Sequence, residues 1–262
     1  MTADRDVLRA TFDDSPDLYD QARVVPPPQL FDDLVGLAEL EPGARLVEIG
    51  CGTGQATLPL AEHGFEIVGV ELGAGLAEVA RRKLAPFPRV TVVVSSFEAW
   101  DAGGERFDAV VAFNSFHWVD PAVRFAKSAE VLRARGVLAV VGMRFVAHAD
   151  ADPVWTALQE DYEAVAGFVE PRVHVDDLAD RSAEFEAGGL FRVVASRRYL
   201  WDVTFDADGF VALLETSSWH RQLDDGMRRE LFARIRGRIE SRPGGTIAAT
   251  MAAVLYVARA AG

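Results

Sequence analysis

Residues 46–54, Leu46-Val47-Glu48-Ile49-Gly50-Cys51-Gly52-Thr53-Gly54, decide how the rest of the chain is read. A short apolar run carrying one acid breaks into three glycines spaced by one, and a helical pattern starts straight after. Glycine has no Cβ, so its backbone can turn left-handed and lie close to a ligand. The first N–H groups of the following helix aim at the same place. The stretch therefore predicts a strand, a glycine loop and a helix start around a nucleotide-like ligand.

The flanking sequence fits that unit. Further apolar runs follow at Glu66 to Val70, Val90 to Val94, Phe107 to Phe113 and Gly136 to Val141, the first run being Arg45 to Ile49. Helical patterns lie between them at Thr53 to His63, Ala74 to Leu84 and Pro121 to Ala134, with a short turn near Phe97 to Trp100. Strands covered on both faces read as continuous apolar runs, so this alternation predicts a mainly parallel sheet with helices on both sides. Upstream, residues 1–28 lack strong periodicity until Pro26-Pro27-Pro28, and Leu30 to Ala38 recur at helical spacing. After Met143 the pattern loosens. Val154, Trp155, Leu158, Tyr162 and Val165 mark one helix, and Asp176 to Ala187 a second helical segment ended by Gly188-Gly189. A strand-like run from Phe191 to Val203 follows. Asp206 to Asp208 are placed to cap a helix, Met227, Leu231, Ile235 and Ile239 line another, and Met251 to Ala258 has the length of a last strand.

Open parallel sheets bind ligands beyond the carboxyl ends of their strands. Glu71 stands there after the second strand, at the spacing where a carboxylate accepts hydrogen bonds from both ribose hydroxyls. A dinucleotide fingerprint would carry a small residue three places after Gly52, and that place holds Gln55. The third glycine comes one residue earlier, at Gly54, and Glu48 precedes the first by two.

With that spacing, Glu48 to Gly54 resembles motif I of the class I S-adenosylmethionine-dependent methyltransferases. Val68-Gly69-Val70-Glu71-Leu72 resembles the second motif of that family, which implies Glu71 on the ribose and Leu72 against adenine. Ser95-Ser96-Phe97-Glu98 falls where the family contacts the adenine edge and face, with Ser96 and Phe97 implied; the family's usual acid at or next to position 97 is a point of departure, since this sequence has Phe97 with Glu98 following. Phe107 to Asn114 resembles the fourth motif and implies Asn114 facing the methionine half. Ser115-Phe116-His117-Trp118-Val119-Asp120 and Tyr19-Asp20-Gln21-Ala22-Arg23 resemble a small-molecule subgroup that includes the trans-aconitate methyltransferase type. The subgroup implies Tyr19 and Arg23 over the cofactor's carboxylate. The likeness covers residues 15–143 well and Leu255 to Arg259 weakly. It implies an α/β, Rossmann-like doubly wound, seven-stranded mostly parallel sheet, with the last strand antiparallel. Helical insertions are expected after strands 5 and 6.

The expected organisation is one domain over 1–262: an N-terminal lid and helix at 1–40, a cofactor-binding core at 41–143, and helical insertions over the substrate site at 144–190 and 204–245. Cofactor contacts are expected from Tyr19, Arg23, Glu48, Gly50, Cys51, Gly52, Gly54, Glu71, Leu72, Ser96, Phe97 and Asn114, with S-adenosylmethionine as the cofactor. Methyl transfer needs positioning, plus a base where the acceptor holds a proton. His117, after the fourth strand, is the candidate base, beside the plainer reading of a ring that only packs. His63, at a helix end, reads as structural. His148, His174 and His220 lie in or near the insertions, and Arg144 and Arg172 are cations there whose convergence the sequence does not show. No histidine pair has helical metal-ligand spacing, so no metal is expected.

The net charge of -13 disfavours nucleic acid and anionic membranes as partners. The single cysteine requires no oxidising compartment. Met1 to Asp20 lacks the basic start and apolar core of a signal peptide, and Thr246 to Ala258 is shorter than the roughly 20 residues of a spanning helix. A cytoplasmic enzyme acting on a small molecule is expected, its oligomeric state open. Two other readings share the glycine loop: a nicotinamide-dependent oxidoreductase, disfavoured by Gln55, and a cofactor-binding protein without turnover.

Overall fold

The computed structural model describes residues 11–147, 152–167 and 173–261. In chain order the helices and strands are α1 (Pro16–Ala22), α2 (Pro28–Leu37), β1 (Arg45–Ile49), α3 (Thr57–Glu62), β2 (Glu66–Glu71), α4 (Ala74–Leu84), β3 (Val90–Val94), β4 (Phe107–Phe113), α5 (Arg124–Val131), β5 (Leu132–Val146), α6 (Val154–Ala166), α7 (Ser182–Glu186), β6 (Phe191–Asp206), α8 (Ala207–Glu215), α9 (Ser218–Arg221), α10 (Asp225–Glu240) and β7 (Thr246–Ala260). The seven strands form one sheet in the order β3-β2-β1-β4-β5-β7-β6. β1 runs parallel to both β2 and β4, β2 to β3, and β4 to β5. This is the expected Rossmann-like, mostly parallel sheet, with α6 and α7 inserted after β5 and α8 to α10 after β6. The order reverses between β1 and β4, and such a switch point opens a crevice at the strand ends.

Adjacent residues within the central strands are buried together, which requires cover on both faces. Leu46 and Val47 are fully buried in β1, as are Ala109, Val110, Val111 and Ala112 in β4.

Several boundaries differ from the sequence reading, among them the last strand, expected over Met251 to Ala258 and found at Thr246–Ala260, and the helical segment expected over Asp176 to Ala187, whose α-helix is Ser182–Glu186. The helix expected from Thr53 begins at Thr57, because the glycine loop takes up the residues before it. The helix expected over Pro121 to Ala134 spans only Arg124–Val131. β5 then starts at Leu132 rather than Gly136, through an irregularity in which pairing jumps from Phe107↔Leu132 to Ala109↔Val137. Arg135 sits in the extra residues at φ 64°. A bulge has no hydrophobic period, so the pattern hid it. α1 was likewise invisible: it buries no side chain and leaves no apolar stripe.

The chain packs as two compact units, one of Val25–Met143, Asp180–Tyr199 and Ala253–Gly262, the other of Met1–Val24, Arg144–Ala179 and Leu200–Ala252. The first is built on Val47, Ile49, Phe107, Val110 and Leu138. The second has its own core of Leu158, Phe210, Leu231, Ile235 and Ile239 from α6, α8 and α10. Buried Asp161 of α6 accepts hydrogen bonds from Nε and Nη2 of Arg238 in α10, so its charge is not left unpaired in that core. Asp206 caps α8 through the Gly209 N–H (2.7 Å), as the sequence suggested, and Asp224 caps α10 through Gly226 and Met227 (both 2.9 Å). Among the described residues no helix is long and apolar enough to cross a membrane.

Phe107 is fully buried, its ring centroid 5.8 Å from that of Trp100. Phe107→Ala is expected to cost about 3–5 kcal/mol of unfolding free energy, measured by urea titration.

Candidate functional site

The loop after β1 is built on glycines that no other residue replaces without strain. Gly50, Gly52 and Gly54 hold φ of 63°, 56° and 80°. Space adds a second restriction: a Cβ on Gly50 would lie 2.7 Å from Ser115 Cβ, and one on Gly54 2.9 Å from Leu84 Cδ1. Gly50 N–H donates to Val70 O (2.8 Å), and the Ser115 hydroxyl donates to Ile49 O, tying the loop to β2 and to the segment after β4. Gly69, inside β2, is explained the same way. A Cβ there would stand 2.8 Å from the sulfur of buried Cys51.

Glu71, at the end of β2, is almost fully buried. Its Oε2 accepts from Gly52 N–H and its Oε1 from Gly73 N–H, each at 2.8 Å. One carboxylate thus joins the loop after β1 to the loop after β2. Glu48 lies deeper, 1% exposed within β1, where Thr57 Oγ1 donates to its Oε2 at 2.6 Å. Burial pushes its carboxyl up to about 8, with Thr57 opposing and the negative charge of Glu71 adding to the rise. At neutral pH the buried Glu48 carboxyl is thus largely protonated. Burial, with those acids, also holds Cys51 well above its usual range, as a packed thiol rather than a nucleophile.

Beyond β3, Phe97 is buried and stacks on Trp100 at 6.1 Å, with Lys127 Nζ 5.6 Å from its ring centroid. Ser96 Oγ accepts from Ala99 N–H (3.1 Å), and Glu98 Oε1 from Asp120 N–H (3.0 Å). Leu72, past the end of β2, is 37% exposed. Asn114 takes φ 53° at the end of β4, a left-handed turn that asparagine tolerates, while its Oδ1 accepts from Met143 N–H at 2.6 Å. His117 is exposed in a short 3-10 turn, its ring 5.0 Å from that of Trp118.

Gly50, Cys51, Gly52, Gly54, Glu48, Glu71 and Asn114 therefore gather at adjoining strand ends in one unit. Tyr19 and Arg23 belong to the other. There the Arg23 guanidinium lies 4.7 Å from the Tyr19 ring centroid and donates to Thr216 O at 2.5 Å. Also in that unit, His220 is buried and shares a 2.8 Å hydrogen bond with the Tyr162 hydroxyl; burial lowers its imidazole to about 4, so it is neutral. His63 stacks on Phe65 and faces Asp32 (3.6 Å), and His174 accepts from Asp176 N–H (3.3 Å). His148 and Arg172 lie outside the described residues.

Thr57, Gly69, Gly73 and Ser115 support the loop, and the sequence reading gave none of them a role of its own, although Gly69 and Ser115 stand within the quoted motifs. Their types are common, and only their placement opposite Glu48, Cys51, Glu71 and Ile49 gives them a role. Ser115 alone left a signal, by following Asn114 at the end of an apolar run.

The raised Glu48 carboxyl has a consequence for stability. The folded chain binds this proton more tightly than the unfolded chain, so the contribution is full below about 4.5 and is lost as pH rises through about 8. Unfolding free energy measured across that window is expected to fall less steeply in Glu48→Gln, which keeps the shape without the proton.

Residues 46–136 match the family model described as a methyltransferase domain. An uncharacterized methyltransferase of Mycobacterium tuberculosis is 27% identical over 203 residues, covering 70% of this chain and 81% of that protein. The magnesium-protoporphyrin O-methyltransferase of Rhodobacter capsulatus is 34% identical over 96 residues, or 37% of this chain and 40% of that one. Among solved structures, an S-adenosylmethionine-dependent methyltransferase of Thiobacillus denitrificans in complex with S-adenosyl-L-homocysteine aligns with a TM-score of 0.55 at 16% identity, covering 100% of both chains; at that identity the likeness is one of fold.

Proposed function

We propose that this chain, a relative of the class I S-adenosylmethionine-dependent methyltransferases, moves a methyl group from S-adenosylmethionine to a small-molecule acceptor by in-line displacement. The observation that carries the reading is Glu71, a carboxylate at the end of β2 bonded to the N–H groups of the loops after β1 and β2. A carboxylate suits neighbouring ribose hydroxyls, which are donors, and so fits a nucleoside cofactor. The glycine spacing, with Gln55 where a dinucleotide loop carries a small residue, favours one without a pyrophosphate.

On this reading Glu71 accepts from the ribose, and the backbone of Gly50, Cys51, Gly52 and Gly54 gives the amino acid portion a close approach. Leu72, Ser96 and Phe97 border the adenine, with Ser96 offering its hydroxyl. Asn114 faces the methionine half. Glu48 acts from beneath, as a neutral acid bonded to Thr57 that keeps the first turn of α3 under the loop. Once bound, the cofactor supplies a methyl carbon already activated by a positive sulfur. The protein's part is then alignment, with His117 taking a proton from the acceptor where one must leave. The likeness of Ser115 to Asp120 to the trans-aconitate type makes small carboxylic acids the first acceptors to try.

Calorimetry is expected to show S-adenosylmethionine binding that Glu71→Ala weakens about 100-fold, the worth of two hydrogen bonds to a charged group. Unchanged affinity would remove Glu71 from the ribose. Stabilisation against heat by S-adenosylmethionine but not by a nicotinamide dinucleotide separates this reading from an oxidoreductase. With an acceptor in hand, His117→Ala is expected to lower kcat while leaving cofactor affinity intact and to abolish the acid limb of the pH profile. Full turnover in that variant would mean that His117 is no base, and tight cofactor binding with no product from any acceptor would favour a protein that binds without turnover.

A further inference from the structure

β3 is joined to β4 by residues 95–106, a connection without helix or strand. Connections that carry no structure of their own are usually much shorter, and long ones commonly serve binding. Ser96 and Phe97, which border the adenine on the reading above, lie at its start. That start is a tight turn, with the Ala99 and Trp100 N–H groups donating to Ser96 O (3.2 and 2.9 Å). Ordering a turn costs entropy, so one that must hold a single position needs an anchor outside itself. Lys127, in α5, supplies it. Its Nζ donates to Glu98 O at 2.9 Å and to Trp100 O, and stands 5.6 Å from the centroid of the Phe97 ring. An ammonium carries three N–H donors on one centre, so a single group closes on two carbonyls and still faces a ring. Phe97 in turn packs on Trp100, and Trp100 on Phe107 of β4. The residue type is itself informative. Of the 27 basic residues only Lys83 and Lys127 are lysine. A guanidinium spreads its donors over a planar fork, whereas here one nitrogen meets both carbonyls, which gives lysine a reason in a chain that otherwise uses arginine.

We propose that Lys127 is a positioning residue for the cofactor's base: it fixes the 96–100 turn so that the turn presents one pattern of hydrogen-bonding groups to the adenine edge. The proposal rests on the reading of the site given above, and Lys127 acts through the turn rather than by touching the cofactor. Asp120 N–H steadies the same turn from another side, by donating to Glu98 Oε1 at 3.0 Å. Adenine offers a 6-amino donor beside the N1 acceptor, whereas a 6-oxo purine offers an acceptor beside an N1–H donor. A turn held in one place suits the first pattern and leaves groups unpaired against the second. A turn free to shift re-forms around either, at the cost of ordering itself on binding. The tether thus serves both affinity and the choice of base.

The test is calorimetry of the full chain with S-adenosyl-L-homocysteine and with its 6-oxo counterpart, S-inosyl-L-homocysteine. The unaltered chain is expected to prefer the adenosyl ligand at least about 10-fold, and Lys127→Met to weaken that ligand about 10-fold while cutting the preference to about 3-fold or less. Methionine keeps the stem and suits a helix, and circular dichroism verifies the fold. Lys127→Arg keeps the charge beside Phe97 without the single-nitrogen grip; it is expected to lose part of the preference and gives the same readout should the methionine variant not fold. A lysine with a merely structural role would weaken both ligands alike. Equal weakening, a preference unchanged in both variants, or an unaltered chain that binds the two bases alike would each overturn the proposal and leave the cofactor assignment standing. Binding of neither ligand by the unaltered chain would overturn that assignment and the proposal with it.

Discussion

Glu71 is the constraint on which the site depends. Its two oxygens are divided between Gly52 and Gly73, so a single charge fixes the loops after β1 and β2 relative to each other. That charge has effects around it. It helps to keep Glu48 protonated beneath the loop and Cys51 a neutral thiol, leaving one negative charge at the mouth of the crevice. A carboxylate so placed suits a ligand that offers hydrogen-bond donors.

The glycines serve the same end by steric means. Gly50 gives way to Ser115, Gly54 to Leu84 and Gly69 to Cys51, so the segment after β4, helix α4 and strand β2 all press on the loop. Its backbone is thereby held without side chains of its own. The second unit is organised differently, as a helical core with a paired Asp161 and a neutral His220 beside Tyr162.

Much of this was legible in the residues. Periodicity located all seven strands, because continuous apolar runs have no other stable use in an alternating chain. Spacing singled out Glu71 and separated Gly54 from a dinucleotide pattern. Reading failed where no period exists: at the bulge around Arg135, at α1 with no buried face, and at the first turn expected from Thr53, which the loop absorbs. It failed again for residues whose role is only to face another, such as Thr57 opposite Glu48.

By itself the sequence determined the strand order's raw material, the left-handed turns after β1 and the presence of an acid at the end of β2, since these follow from side-chain size and local period. Tertiary structure decided what those residues do to one another. That Glu48 is protonated, that Glu71 bonds two loops and that His220 is buried while His117 is exposed are consequences of burial and of partners distant in the chain. The same holds for β6, whose run of residues announces a strand but whose place at the end of the sheet exists only once the other six strands have paired.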